Sequence, residues 1–452
     1  MTSPQGTGGG SDNRTWIGKL TLTDFRNYRS ATLIPTPAPA VLFGANGAGK
    51  TNCLEAISLL TAGRGLRSLP FSELARNSGA GGWAVAARVF AGGGEIEIGT
   101  GVQVPPGGVL GSRTPRVVKI DGAMAKGSGA LARIRMVWLT PAMDGLFTGA
   151  ASERRRFIDR LALSLDPAYA SAAATFDRAM RQRNKALEDM SPPKLLDGIE
   201  VQMAEAAAKM AAMRHRAIEA LAAEIAAERA RVPDSAFPWA VLSLVGHLEA
   251  QIAPAMDELE AQPGERPPHP GPLAEGRGSS AADGSGVPSS LGERDRVRAD
   301  SARASIQASY LQLLASSRGR DREAGRTLVG PHRSDLEVTH GPKAMPAKMC
   351  STGEQKALLV GLALAQARLV KEVAGGIAPL ILLDEIAAHL DEDRRAALFA
   401  SIASLNAQVW MTGTDSAMFV PLRDATEVQF FRVSEGAFTP INSVESGSNP
   451  HI

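Results

Sequence analysis

Gly44-Ala45-Asn46-Gly47-Ala48-Gly49-Lys50-Thr51 follows a short apolar run, Ala40–Phe43, and opens a stretch of helical character, Thr51–Thr61. Its glycines let the chain curl until successive N–H groups converge on an anion, and the positive end of the following helix adds to the attraction. This loop, with Asn52 behind it, has the chemistry to cradle the phosphates of a nucleoside triphosphate. Lys50 reaches the β- and γ-phosphates, and the Thr51 hydroxyl is a Mg²⁺ ligand. Near the other end of the chain an apolar run, Pro379–Leu383, ends in Asp384-Glu385. Asp384 is placed to orient the metal, and Glu385 to act as general base on the attacking water. Lys50 and Glu385 are therefore the candidate catalytic residues, and Thr51 with Asp384 the candidate Mg²⁺ ligands.

A third element lies just upstream of the acidic strand. Ser351-Thr352-Gly353-Glu354-Gln355 opens another helical stretch, where Ser351 can donate a hydrogen bond, Gly353 permits close backbone approach and the helix end favours negative charge. The same pattern also suits an N-cap serine in a helix-starting turn. Its position relative to Asp384 resembles the signature motif of ABC-type ATPases, which binds the γ-phosphate of a nucleotide held by a second subunit. Asp391, beyond Glu385, looks like the D-loop of those proteins. Thr414 and Asp415 stand where many of them carry a switch histidine.

These motifs need a sheet that brings distant segments together. Short β-like runs between Gly/Pro turns fill residues 16–150, a first ATPase lobe holding the phosphate loop. Residues 326–440 return to mixed α/β character with the signature, the acidic strand and the D-loop. Between them, 151–325 is rich in alanine and charge and predicts helices. Ile199, Met203, Ala206, Met210, Met213 and Ala217 step by alternating fours and threes, the seam of a short coiled coil, with Val297–Ser317 as a returning arm; a long helix lying on a globular core is the alternative. In 261–292, 18 of 32 residues are Gly, Pro or Ser, too few apolar groups to offset ordering entropy, so this insertion predicts disorder. Residues 1–15 and 441–452 predict loose tails. The fold class is α/β: an ABC-type P-loop head with a mixed sheet, interrupted by a helical arm domain.

Composition removes other classes. Two cysteines make neither a disulfide framework nor a zinc site, and no run is long and apolar enough to span a membrane. A cytoplasmic protein is expected. A net charge of +2 does not by itself announce a nucleic-acid binder. The densest basic stretch is Arg154, Arg155 and Arg156, followed by Arg178, Arg181, Arg183 and Lys185. These are the candidate phosphate contacts for DNA, or equally a solvated face.

The order of motifs resembles the RecF family of DNA recombination and repair proteins, relatives of the SMC and Rad50 ATPases. The matching pieces are Leu22–Tyr28, Gly44–Ala56, Gly63–Ser68, Arg154–Asp159, Gln182-Arg183-Asn184, Thr327–Arg333, Ser351–Lys356 and Leu382–Glu385. That resemblance implies two ATPs sandwiched with Mg²⁺ between two subunits, each facing the partner's Ser351 loop. It further implies DNA held across the ATP-dependent homodimer, released by slow DNA-dependent hydrolysis, and RecR, RecO and RecA as partners in loading at gaps or junctions. Glu385 stands where the family usually has a second Asp. Thr140-Pro141-Ala142-Met143-Asp144 replaces its Ser-Pro-Glu-Asp-like stretch, so no lobe-bridging glutamine is placed. The 261–292 insertion is an addition to the pattern. An SMC-like structural DNA ATPase is the alternative, and a transporter ATPase subunit is disfavoured by the long helical insertion.

Overall fold

The computed structural model describes residues 13–79, 81–104, 114–125, 131, 133–251 and 293–441. The insertion expected at 261–292 lies outside them, as do the tails apart from residues 13–15 and Ile441. Thr15 is not loose: its N–H donates to the Ala378 carbonyl at 2.8 Å, and the Ala378 N–H donates back to Asn13 at 2.9 Å. The expected N-terminal tail therefore ends at least three residues early, because these backbone groups are satisfied by a neighbouring segment.

The chain opens on a hairpin, β1 (Trp16–Phe25) and β2 (Tyr28–Leu33). In β1 the alternation of Leu20 and Leu22 inward against Thr21 and Thr23 is offset by a register shift at Ile17/Lys19, which lets Ile17 also face the core. Then come β3 (Ala40–Phe43) and α1 (Lys50–Ser58). The strands β4 (Trp83–Ala91), β5 (Gly94–Val102), β6 (Val117–Ile120) and β7 (Ala123–Met124) extend the hairpin into an antiparallel sheet of order β2-β1-β4-β5-β6-β7. After β8 (Met136–Leu139) follow the helices α2 (Ala151–Leu165), α3 (Tyr169–Glu188) and α4 (Pro193–Arg231), then β9 (Ala240–Val245) and α5 (Glu293–Glu323). The remainder is β10 (Asp335–His340), β11 (Met345–Pro346), α6 (Thr352–Val373), β12 (Leu380–Leu383), α7 (Glu392–Leu405), β13 (Val409–Gly413), β14 (Gln429–Ser434) and β15 (Ala437–Ile441).

The second large sheet has the order β15-β14-β3-β13-β12-β8, and β14, β3, β13, β12 and β8 are parallel. Every residue of β3, β12 and β13 is buried, as expected of central parallel strands covered on both faces. Leu20, Leu22, Leu42, Leu54, Ile57, Leu382 and Trp410 belong to one core shared by both large sheets and α1.

The chain divides into two compact units: residues 1–171, 216–243 and 336–452, and residues 172–215 and 244–335. The expected helical domain began at 151 and ended at 325. Instead α2 falls in the first unit, the second runs on to Asp335, and the division passes through α4. In α4 the anticipated seam is buried from Met203 to Ala217, with Ile199 half-buried. Ala204, Ala207, Ala208 and Ala211 are buried as well. Two a/d positions per heptad would leave those alanines at the surface, so the covered face of α4 is wider than the seam positions alone.

Within the second unit, Arg183 on α3 is wholly buried. It donates to Glu200 on α4 at 2.8 Å, to Asp321 on α5 at 2.7 Å, to the Thr327 hydroxyl at 2.9 Å and to the Leu314 carbonyl at 2.8 Å. Arg318 pairs Glu200 from the other side and also reaches Asp197. Asn184 accepts from the Thr327 N–H and hydroxyl at 2.9 and 2.8 Å. Arg183 is therefore withdrawn from the DNA-contact candidates: a guanidinium with four such acceptors and no exposed surface is an internal tie between helices. Arg178, Arg181 and Lys185 are exposed on the same helix. In the first unit, Arg154 donates to the Leu146 and Gly149 carbonyls, while Arg156, more than half exposed, pairs Glu153.

Candidate active site

The parallel sheet puts the ends of β3, β13 and β12 side by side, so the phosphate loop after β3 meets the acids after β12. The Lys50 ammonium turns back over the loop and donates to the Gly44 and Ala45 carbonyls at 2.7 and 3.0 Å. Burial lowers its pKa from the ordinary lysine value, and the nearby Glu385 and Asp384 partly offset that effect. Thr51 donates to Asp384 Oδ1 at 2.9 Å across 333 residues of sequence. Every residue from Gly44 to Asn52 lies in this loop and the first turn of α1, as the sequence predicts.

The loop is held in shape from outside. The phenol of Tyr28, kept protonated by burial and then by the neighbouring Cys53, donates to the Gly49 carbonyl at 2.9 Å. Asn27 donates to the Ala48 carbonyl at 2.9 Å and accepts from Asn52 at 2.9 Å. Behind them Glu55, almost fully buried, pairs Arg26 at 2.8 Å and Arg67 at 3.2 Å. The turn after β1 is thus a brace for the phosphate loop, a role that residue types alone did not reveal. Gly49 has φ +114°, and a Cβ there would sit 2.4 Å from Asn27 Nδ2 and 2.9 Å from the Tyr28 oxygen. We expect Gly49→Ala to weaken ATP binding at least tenfold through this clash and the left-handed backbone; titration with a fluorescent ATP analogue checks it. Affinity within threefold of wild type would show the brace to be compliant.

Asp384 lies at the end of β12 with its N–H donated to the Leu139 carbonyl at 2.9 Å. It is 4% exposed, and burial, opposed by hydrogen bonds from Thr412 and Thr51 and reinforced by Glu385, raises its pKa. Oδ1 receives both the Thr51 hydroxyl and the Thr412 hydroxyl, the latter at 2.7 Å. One carboxylate and one hydroxyl are hard oxygen donors that leave room for waters and substrate phosphates, which fits Mg²⁺. Bound there, Mg²⁺ would neutralise charge developing on the phosphates. Glu385 has φ 56° and ψ 14°, a left-handed conformation that costs a non-glycine residue about 1 kcal/mol. Its N–H donates to the Thr412 hydroxyl at 2.9 Å. Thr412 escaped the sequence reading; its signal is a lone hydroxyl ending the buried run Val409-Trp410-Met411.

Ser351 is the N-cap of α6. Its hydroxyl accepts from the Glu354 N–H at 3.4 Å and the Glu354 carboxylate accepts from the Ser351 N–H at 3.0 Å, a reciprocal capping box. Lys343 beside Glu354, followed by the Ser351 N–H and hydroxyl, holds that carboxyl down at about 2. Ser351, Thr352 and Gly353 are exposed, whereas Gln355 turns inward to the Cys350 carbonyl at 2.9 Å. Asp391 caps α7 by accepting from the Arg394 N–H at 2.8 Å. Thr414 and Asp415 are exposed, and Asp415 caps the following turn at Ala417, while Thr412, two residues earlier, touches the acids. Asp144, in the stretch where no bridging glutamine could be placed, pairs Lys356 of α6 at 3.2 Å.

A family model described as the RecF/RecN/SMC N-terminal domain matches residues 16–435. The chain is 46% identical over 432 residues to the DNA replication and repair protein RecF of Mesorhizobium japonicum, covering 94% of this chain and 98% of that one. It is also 46% identical over 422 residues to the RecF of Rhizobium etli, covering 93% and 97%. A solved structure of the recombination mediator RecF with ATP in the RecFOR pathway has the same fold, with a TM-score of 0.70 at 20% identity over 95% of this chain and 99% of that one. No helix among the described residues is long and apolar enough to cross a membrane.

Proposed function

Since the chain belongs to the RecF family of DNA replication and repair proteins, and so to its ATPases, we propose that it works as an ATP-gated DNA clamp. Gly44–Asn52 bind the triphosphate, Lys50 neutralises it, and Thr51 with Asp384 hold Mg²⁺. Glu385 draws the proton from the attacking water. The observation that most supports a two-subunit site is the exposed N-terminus of α6. Ser351–Gly353 present a hydroxyl and backbone N–H groups, and nothing lies within 4 Å of a Cβ at Gly353. Such a surface is suited to the γ-phosphate of a nucleotide on a second copy. Asp391 and the Thr414-Asp415 turn border the same seam. ATP thereby closes a homodimer on duplex, gapped or junction DNA, slow DNA-dependent hydrolysis reopens it, and RecR and RecO share the work of loading RecA in the cytoplasm. Arg154, Arg155, Arg156 and Arg181 remain the proposed DNA contacts.

The test is sedimentation and gapped-duplex binding with and without ATP, on wild type and Lys50→Ala. Wild type is expected to dimerise and bind DNA more tightly with ATP. Lys50→Ala should bind ATP about 10–100-fold more weakly, the loss of charge-assisted contacts, and show neither response. If ATP neither dimerises the wild type nor tightens DNA binding, the clamp reading is wrong.

A further inference from the structure

Thr412 stands at the end of β13, the strand between the phosphate-loop strand and the acidic strand. It is 1% exposed and its single hydroxyl serves both acids of the site. The O–H is donated to Asp384 Oδ1 at 2.7 Å, and the oxygen accepts the Glu385 N–H at 2.9 Å. A hydroxyl has one proton to give, so this donation is committed and the direction of the second bond follows from it.

We infer that Thr412 is the positioning residue of the hydrolytic site, setting the Mg²⁺ ligand and the general base with one hydroxyl. Both hydroxyls that reach Asp384 converge on Oδ1, so Oδ2 carries neither of them and the carboxylate would still be able to serve Mg²⁺. The two peptides that flank Asp384 are each held, the one before it by the Leu139 carbonyl accepting the Asp384 N–H and the one after it by Thr412 accepting the Glu385 N–H. The second grip holds Glu385 in its left-handed conformation and so fixes the direction in which its carboxylate leaves the strand. Thr414 and Asp415, exposed two and three residues further on, have neither contact. A valine at 412 keeps the shape of the side chain and removes both bonds.

This inference rests on the ATPase reading, and its test separates the two. In nucleotide-free protein, amide exchange across the 384–388 segment is expected to speed up at least tenfold in Thr412→Val, and Thr412→Ser is expected to exchange like wild type. With ATP, Thr412→Val should keep nucleotide affinity at saturating Mg²⁺ within threefold, need several-fold more Mg²⁺ for half-maximal binding and lose at least tenfold in kcat. Thr412→Ser should recover at least a third of the turnover. Turnover of Thr412→Val within twofold of wild type, an unchanged Mg²⁺ midpoint, or a serine variant as defective as the valine one would overturn the inference. Parallel loss of ATP affinity and kcat would also overturn it, by reducing Thr412 to a packing role. A wild type that does not hydrolyse ATP would instead sink the ATPase reading, while the exchange and Mg²⁺ arms still judge Thr412.

Discussion

Glu385→Gln is expected to lower ATP turnover by about 100–10,000-fold, the range over which a positioned general base contributes, while ATP still binds and the dimer persists. Glutamine keeps the length and shape of the side chain and the N–H held by Thr412, so the proposed proton abstraction is the one function removed. Lys50 stays on the phosphate loop and Asp384 stays tied to Thr51, so phosphate and metal binding survive. Sedimentation should show an ATP-dependent dimer that fails to dissociate, and phosphate release should fall to background. Unchanged hydrolysis would remove Glu385 from the base role and leave the water to be activated by another group.

The second large effect is on stability. Arg183→Met leaves the carboxylates of Glu200 and Asp321 without their shared cation; both side chains are almost wholly buried. Breaking a buried ion pair from one side costs about 3–5 kcal/mol, against a total of about 5–15 kcal/mol for a typical domain. Arg318 still compensates Glu200, so Asp321 is the group left most exposed to the loss. Urea denaturation should show the second unit unfolding at clearly lower denaturant, and limited proteolysis should cut between 172 and 215 first. Arg181→Ala, on the exposed side of α3, should leave the urea profile in place. An Arg183→Met protein as resistant to urea as wild type would show that the hub contributes little.

The two residues differ in how far they could be read in advance. Glu385 could be singled out as a candidate because its signal is local: an acid beside an acid, at the end of an apolar run, needs only a phosphate loop elsewhere to acquire meaning. The strands β3 and β12 were legible for a similar reason, since continuous apolar runs are written in adjacent residues. Arg183 was misread because an arginine has the same type whether solvated or buried. Its phase on α3 carries the missing signal: Ala172, Phe176, Ala179, Arg183 and Ala186 step by fours and threes along one buried stripe. A charge in such a stripe must find acids on other elements, and those lie on α4 and α5. Thr412 was missed because its worth depends on strand order, which places β13 between β3 and β12. Asn27 and Tyr28 were visible as part of a family pattern, but their grip on the loop carbonyls requires the hairpin to be folded over α1.

The sheet order also governs when the site can come into being. Strand β3 pairs with β13 and β14, and the Gln429 amide donates to the Ala38 carbonyl at 2.8 Å across 391 residues of sequence. At about 5–20 residues per second, translation leaves roughly 20–80 s between the appearance of the phosphate loop and that of its last neighbouring strand. During that interval Ala40–Phe43 is an apolar strand with both edges open, a target for chaperones. A nascent chain halted before β13 therefore carries an intact phosphate-loop sequence and has no nucleotide site.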